Sequence, residues 1–158
     1  MSEQHFADEI RAPKDYFDRS TRVFTEEHSN YTPVPGTFTV ANQVAHTARI
    51  IDWFVEGAFG PDGFSMDFQA MDREARAVTS LAEARAWLDR AVANAVAMVA
   101  SKTLEEMLLP LPPGPLVGGL PRVAIVGSMT DHTAHHRGAL TIYARLLGLK
   151  PLMPYRDL

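Results

Sequence analysis

At 158 residues, with 46% apolar and 22% charged side chains, the chain has the size and composition of one globular domain, residues 1–158, able to bury a core without disulfide staples. It contains no cysteine, which removes disulfides, thiolate metal ligands and a cysteine nucleophile, and its formal net charge of −4, with no dense Lys/Arg run, argues against a nucleic-acid surface. No apolar run is long enough to cross a bilayer, and Met1-Ser2-Glu3-Gln4 lacks the basic and apolar regions of a signal peptide, so the expected location is the cytoplasm with no membrane partner.

A first helix is predicted from near Pro13 to His28, with Pro13 in its first turn, Phe17, Thr21 and Phe24 on one side, and a kinked extension before it. Tyr31-Thr32-Pro33-Val34-Pro35-Gly36 stops the chain and turns it. Thr39 is then placed to cap a second helix running to about Gly57. On that helix Arg49, Asp52 and Glu56 form a narrow polar wedge, while Val40, Val44, Ile51, Phe54 and Val55 occupy much of the remaining circumference. His46 lies with Ile50 and Trp53 at the margin of the buried arc, where it can face a cavity.

Ser80-Leu81-Ala82-Glu83 reads as a capping box opening a third helix through Trp87, Leu88, Val92, Val96 and Val99 to about Lys102. Pro110 through Pro121 is rich in Pro and Gly and predicts an irregular connection. A fourth helix starts with Pro121 in its first turn and ends at Gly148. Four long helices and no convincing alternating segment give an all-α four-helix bundle. The connection between the second and third helices is far longer than an antiparallel hairpin needs, which favours a crossover and an up-down-down-up order.

The fourth helix carries the informative irregularity. Ile125, Met129, His132, His136, Leu140, Tyr143 and Leu147 follow steps of three and four along one face. Two imidazoles sit in the middle of that apolar stripe, about 40° apart around the helix and one turn apart along it, so both can reach one ion. Buried neutral histidines each leave a nitrogen acceptor in want of a partner, and a divalent metal satisfies both. Two protein ligands make a weak site, and His46, about two turns in from the Thr39 cap, is the obvious third. His135 stands about 60° around the helix from His132 and reads as peripheral. His28, near the end of the first helix, reads as a surface histidine favoured by the helix dipole, and His5 carries no ligand signal.

Thr39-Val40-Ala41-Asn42 followed by His46, with His132, His136-Arg137-Gly138 and Tyr143-Ala144-Arg145-Leu146-Leu147-Gly148 on the last helix, resembles the DinB-like family of metal-dependent helical bundles. The likeness spans about residues 13–154 in element order. It implies an up-down-down-up four-helix bundle, often a homodimer, whose metal ligands fall on His46, His132 and His136. Related bundles include transferases that use low-molecular-weight thiols such as bacillithiol or mycothiol. Two positions depart from the pattern: Ala139 stands where relatives commonly carry Gln, and Asn42 where they often carry the Glu of a capping box. The second departure is expected to affect only a helix end.

The function that follows is a metal-dependent enzyme in which an open coordination position activates a thiol or water. With no cysteine in the chain, a thiol nucleophile has to come from a cosubstrate, giving thiol transfer to an electrophilic small molecule. Water attack would instead give a hydrolase, and a closed site would suit a non-catalytic dimeric binding module. Zinc is the preferred metal, with nickel, iron or manganese as alternatives. Trp53, Arg137 and Tyr143 are the candidate substrate-pocket residues. Each has an ordinary alternative: core packing for Trp53 and Tyr143, a surface ion pair for Arg137.

Overall fold

The computed structural model describes residues 3–155; the expected span of 1–158 includes residues 1, 2 and 156–158, which lie outside it. The described residues form six helices, α1 (Glu3–Thr21), α2 (Val40–Phe59), α3 (Phe68–Ala77), α4 (Leu81–Ala100), α5 (Leu104–Leu108) and α6 (Ala124–Leu146), with a 3₁₀ turn at Glu26–His28. The expected all-α architecture holds. Among the described residues there is no strand beyond one isolated bridge between Pro110 and Pro121. No described helix is long and apolar enough to cross a membrane.

The four long helices α1, α2, α4 and α6 form the bundle, with α1 packed on α4 and α6, and α2 packed on the same two. Between α1 and α6, Glu9 meets Thr130 and Tyr16 meets Arg137, so residue numbers rise together. Between α1 and α4, Lys14 meets Asp89 and Thr21 meets Arg85, so they run oppositely. These pairings are compatible with the expected up-down-down-up order. Phe17, Val44, Leu88, Val99, Ile125 and Leu140 are fully enclosed in one connected apolar core, whose burial is the main term holding the helices together.

The first helix differs most from expectation. It begins at Glu3 and ends at Thr21, placing Pro13 in its interior rather than its first turn. Proline cannot donate to the carbonyl four residues back, and that carbonyl, on Glu9, lies 3.4 Å from the Thr130 hydroxyl of α6, whose single proton has a nearer acceptor in the Val126 carbonyl at 3.0 Å. Phe6 and Ile10 extend the buried face of Phe17 ahead of the proline, so tertiary packing carries the helix through it. At the other end the Thr21 hydroxyl turns back to the Phe17 carbonyl and Arg85 takes the Thr21 carbonyl.

Local caps explain the other helix starts. Thr39 accepts from the Asn42 amide and Asn42 returns the bond to Thr39, closing a reciprocal box at α2. Asn42 also donates from Nδ2 to the carbonyls of Ala75, Arg76 and Val78, at 3.2, 3.4 and 2.9 Å. It therefore pins the end of α3 to the start of α2, a reach beyond the helix-end effect expected of it. At α4, Ser80 caps Glu83, and Glu26 from the 3₁₀ turn accepts from the free amides of Leu81 and Ala82. Those bonds hold the Glu26 carboxyl below its usual range, the Ser80 hydroxyl being the largest cause.

The connection between the second and third predicted helices contains α3, which had no counterpart in the sequence reading. Asp67 caps it, accepting from Ala70 at 2.9 Å, yet only Met71 and Ala75 are buried along it. The short apolar signal reflects a helix lying on the bundle surface against α2. The connection is drawn back onto α2 by Trp53, whose indole donates to the Ser65 carbonyl at 2.7 Å.

Candidate metal centre

α2 presents His46, seven residues past its Thr39 cap, and α6 presents His132 and His136. The three rings converge: centroids lie 5.2 Å apart for His46 and His132, 4.8 Å for His46 and His136, and 4.5 Å for His132 and His136. One nitrogen from each ring falls within 4.8 Å of the others. His132 Nε2 and His136 Nε2 face each other at 3.2 Å. His136 is buried, whereas His46 and His132 are half-buried.

Burial is the main cause that pushes all three imidazoles below their ordinary pKa. His132 falls to about 3 and His136 to about 2, with the neighbouring imidazoles adding repulsion. His46 is lowered too, although Asp72 opposes the shift. The rings are therefore neutral at pH 7, and each offers a lone pair. His46 Nδ1 and His132 Nδ1 are buried and lack any hydrogen-bond partner. A buried polar atom left without a partner costs about 1–3 kcal/mol; on His132 that atom is the nitrogen other than the Nε2 that faces His136. An all-imidazole, neutral donor set with one nitrogen of each ring within 4.8 Å of the others fits a divalent transition metal, and the residues present are thus suited to hold one.

His136 Nδ1 contacts Gln43 Oε1 at 2.5 Å. Gln43 Nε2 lies 3.2 Å from the Tyr143 hydroxyl, which donates to the Phe38 carbonyl at 3.0 Å. The Phe38 ring lies 5.0 Å from the His46 ring. Sequence reasoning missed Gln43. Its signal was present: a polar residue one turn before His46 on a helix whose surroundings are apolar.

A cavity of about 550 Å³ opens beside His46, walled by Phe38, Ile50, Phe68 and Met71, with Asp72 and Arg73 as its charged lining. Asp72 is paired with Arg76, whose guanidinium lies 4.5 Å from the Phe38 ring centre. Four of these residues come from α3, so the helix that the sequence did not reveal forms one wall.

The three pocket candidates fall in different places. Trp53 is buried against Phe54, Phe64 and Phe68, and only the last of these lines the cavity. Tyr143 sits in the hydrogen-bond chain behind His136. Arg137 lies over the rings of Tyr16 and Tyr155 and lines a separate cleft with Ser20, Thr141 and Lys150. The remaining histidines are committed elsewhere: His135 is exposed, His28 accepts from the Thr25 amide at 3.0 Å, and His5 pairs with Glu9. Asp52, from the polar wedge of α2, accepts from the Trp87 indole at 2.7 Å, and burial raises its pKa.

A DinB-like protein from Bacillus subtilis, YjoA, has a crystal structure that superposes with a TM-score of 0.68, covering 98% of this chain and 99% of that one at 14% sequence identity. At that identity the likeness is one of fold. No curated protein matches the chain. The family model of the DinB superfamily matches residues 10–140, the greater part of the sequence, including all three histidines of the cluster. The chain belongs to the DinB superfamily.

Proposed function

We propose that His46, His132 and His136 hold one divalent cation, zinc by preference, and that the chain catalyses transfer of a low-molecular-weight thiol to an electrophilic small molecule. The observation that carries the reading is the convergence of three neutral imidazoles, one nitrogen of each within 4.8 Å of the others, beside a cavity. When bound, the cation supplies Lewis acidity that makes a thiol nucleophilic at neutral pH.

The chain's own residues supply the rest. Neutral ligands leave the cation's charge uncompensated, which favours an anionic sulfur near it. Phe38, Ile50, Phe68 and Met71 offer an apolar wall against which the electrophile's body can pack with loss of water. Arg73 borders the same cavity as a cation suited to an anionic group on either reactant. With no cysteine in the chain, the sulfur comes from a cosubstrate: a C–S bond forms as the bond from that carbon to the electrophile's leaving group breaks, the leaving group departs as an anion with the bonding pair, and the thiol proton passes to solvent.

The test is to incubate the zinc-loaded protein with a small thiol and an aryl or alkyl electrophile, following free thiol. Thiol loss that requires zinc and disappears in His46→Ala is expected. Thiol loss at the uncatalysed rate, with or without zinc, would overturn thiol transfer, and electrophile turnover without thiol loss would replace it by hydrolysis.

A further inference from the structure

The hydrogen-bond chain that starts at His136 ends on a group that can only accept, and that end fixes every proton along it. The Phe38 carbonyl takes its proton from the Tyr143 hydroxyl at 3.0 Å. A phenol has one proton to give, so the Tyr143 oxygen must accept from Gln43 Nε2, 3.2 Å away. The Gln43 amide is thereby locked with its NH₂ toward Tyr143 and its Oε1 toward His136 Nδ1.

An amide oxygen only accepts, so the His136 proton sits on Nδ1 and Nε2 keeps a bare lone pair. Amide orientation and imidazole tautomer are set by such networks rather than by heavy-atom positions, and here the carbonyl terminus leaves one solution. Gln43, Tyr143 and His136 are each 7% exposed, so water does not compete for these bonds. The bare Nε2 faces His132 Nε2 in the centre of the cluster.

We infer that Gln43 is a positioning residue for the metal centre: its amide, held by Tyr143, keeps His136 in the Nδ1–H tautomer and aims Nε2 at the cation site. The role toward a cation rests on the proposed metal reading, whereas the tautomer follows from the hydrogen bonds alone. Ligand histidines need this kind of partner, because an imidazole free to carry its proton on the inward nitrogen cannot bind. The arrangement also gives α2 two functions, one ligand in His46 and, one turn earlier, the group that orients a ligand on α6.

The experiment uses the full chain, stripped with chelator and labelled with ¹⁵N-histidine, and reads the His136 tautomer by long-range ¹H–¹⁵N correlation, followed by zinc titration. The wild type is expected to show Nδ1–H. Gln43→Leu should lose that preference and weaken zinc binding by about 10- to 100-fold. Gln43→Glu, which keeps an acceptor at the same place, should retain both, and Tyr143→Phe, which frees the amide to rotate, should fall between.

An Nε2–H tautomer in the wild type overturns the inference, as does a folded Gln43→Leu with unchanged tautomer and zinc affinity. If Gln43→Leu does not fold, the wild-type and Gln43→Glu spectra decide. Wild-type protein with the expected tautomer but no zinc binding overturns the role toward a cation and the metal reading with it, while leaving the proton assignment intact.

Discussion

Replacing Asn42 with alanine should cost far more than a frayed helix end. The side chain accepts from Thr39 and donates to three carbonyls at the end of α3, the best of these bonds being 2.9 Å to Val78. Loss of a capping interaction is worth about 1 kcal/mol, and an acceptor left buried without its donor costs about 1–3 kcal/mol. Val78 and Ala75 are both buried, so their carbonyls cannot simply turn to solvent. Asn42→Ala should therefore lose about 2–4 kcal/mol in urea denaturation, summing one cap and one fully orphaned carbonyl. Asn42→Asp keeps the acceptor for Thr39 but sets a carboxylate against three carbonyls, so its loss at neutral pH should be at least as large. Because α3 walls the cavity beside His46, both variants should also weaken binding of an apolar ligand there. Asn42→Ala within about 0.5 kcal/mol of wild type, the range of an ordinary surface substitution, would refute the reasoning.

Gly57→Ala replaces a helix-interior glycine and by propensity alone would stabilise α2 by about 1 kcal/mol. The new Cβ would lie 2.1 Å from Phe64 Cδ1, so the ring, 4.8 Å from the Trp53 ring, must move; thermal melting should show a net loss of about 1–3 kcal/mol with altered tryptophan fluorescence, and a raised melting temperature would contradict it. In chelator-stripped protein, folded His132 and His136 stay neutral down to about pH 3 and about pH 2, whereas their unfolded counterparts take protons near the ordinary value of 6.5. The unfolded chain binds protons first, so this contribution is full above pH 6.5 and is lost as pH falls below it. The urea midpoint should thus be lower at pH 5 than at pH 7.5, a window above the range in which Glu26 loses its charge, and equal midpoints would count against neutral buried imidazoles.

What the sequence disclosed and what it hid divide by the range of the interactions. The caps at Thr39 and Ser80 were legible because a side chain and an amide three residues away settle them. His132 and His136 were legible because helical spacing alone puts them on one face, and His46 followed from its place on a second buried helix. The start of α1 was not, because the helix is carried through Pro13 by the packing of Phe6 and Ile10 into the bundle core, which no local signal announces. The cavity wall was hidden for the same reason: α3 has two buried side chains, and its position depends on Asn42 and Trp53 of α2. Helical spacing likewise could not sort Trp53, Arg137 and Tyr143, since the segments that cover them, residues 64–68, the C-terminal Tyr155 and the Phe38 carbonyl, lie outside the helices concerned.

The central claim is that three imidazoles share one cation, and metal analysis of the purified chain tests it most directly. Protein expressed with zinc and freed of loose ions should carry about one divalent ion per chain, and His46→Ala, His132→Ala and His136→Ala, each confirmed as folded by circular dichroism, should each lose most of it. A folded wild-type chain without bound metal, or single variants that retain as much as the wild type, would contradict it.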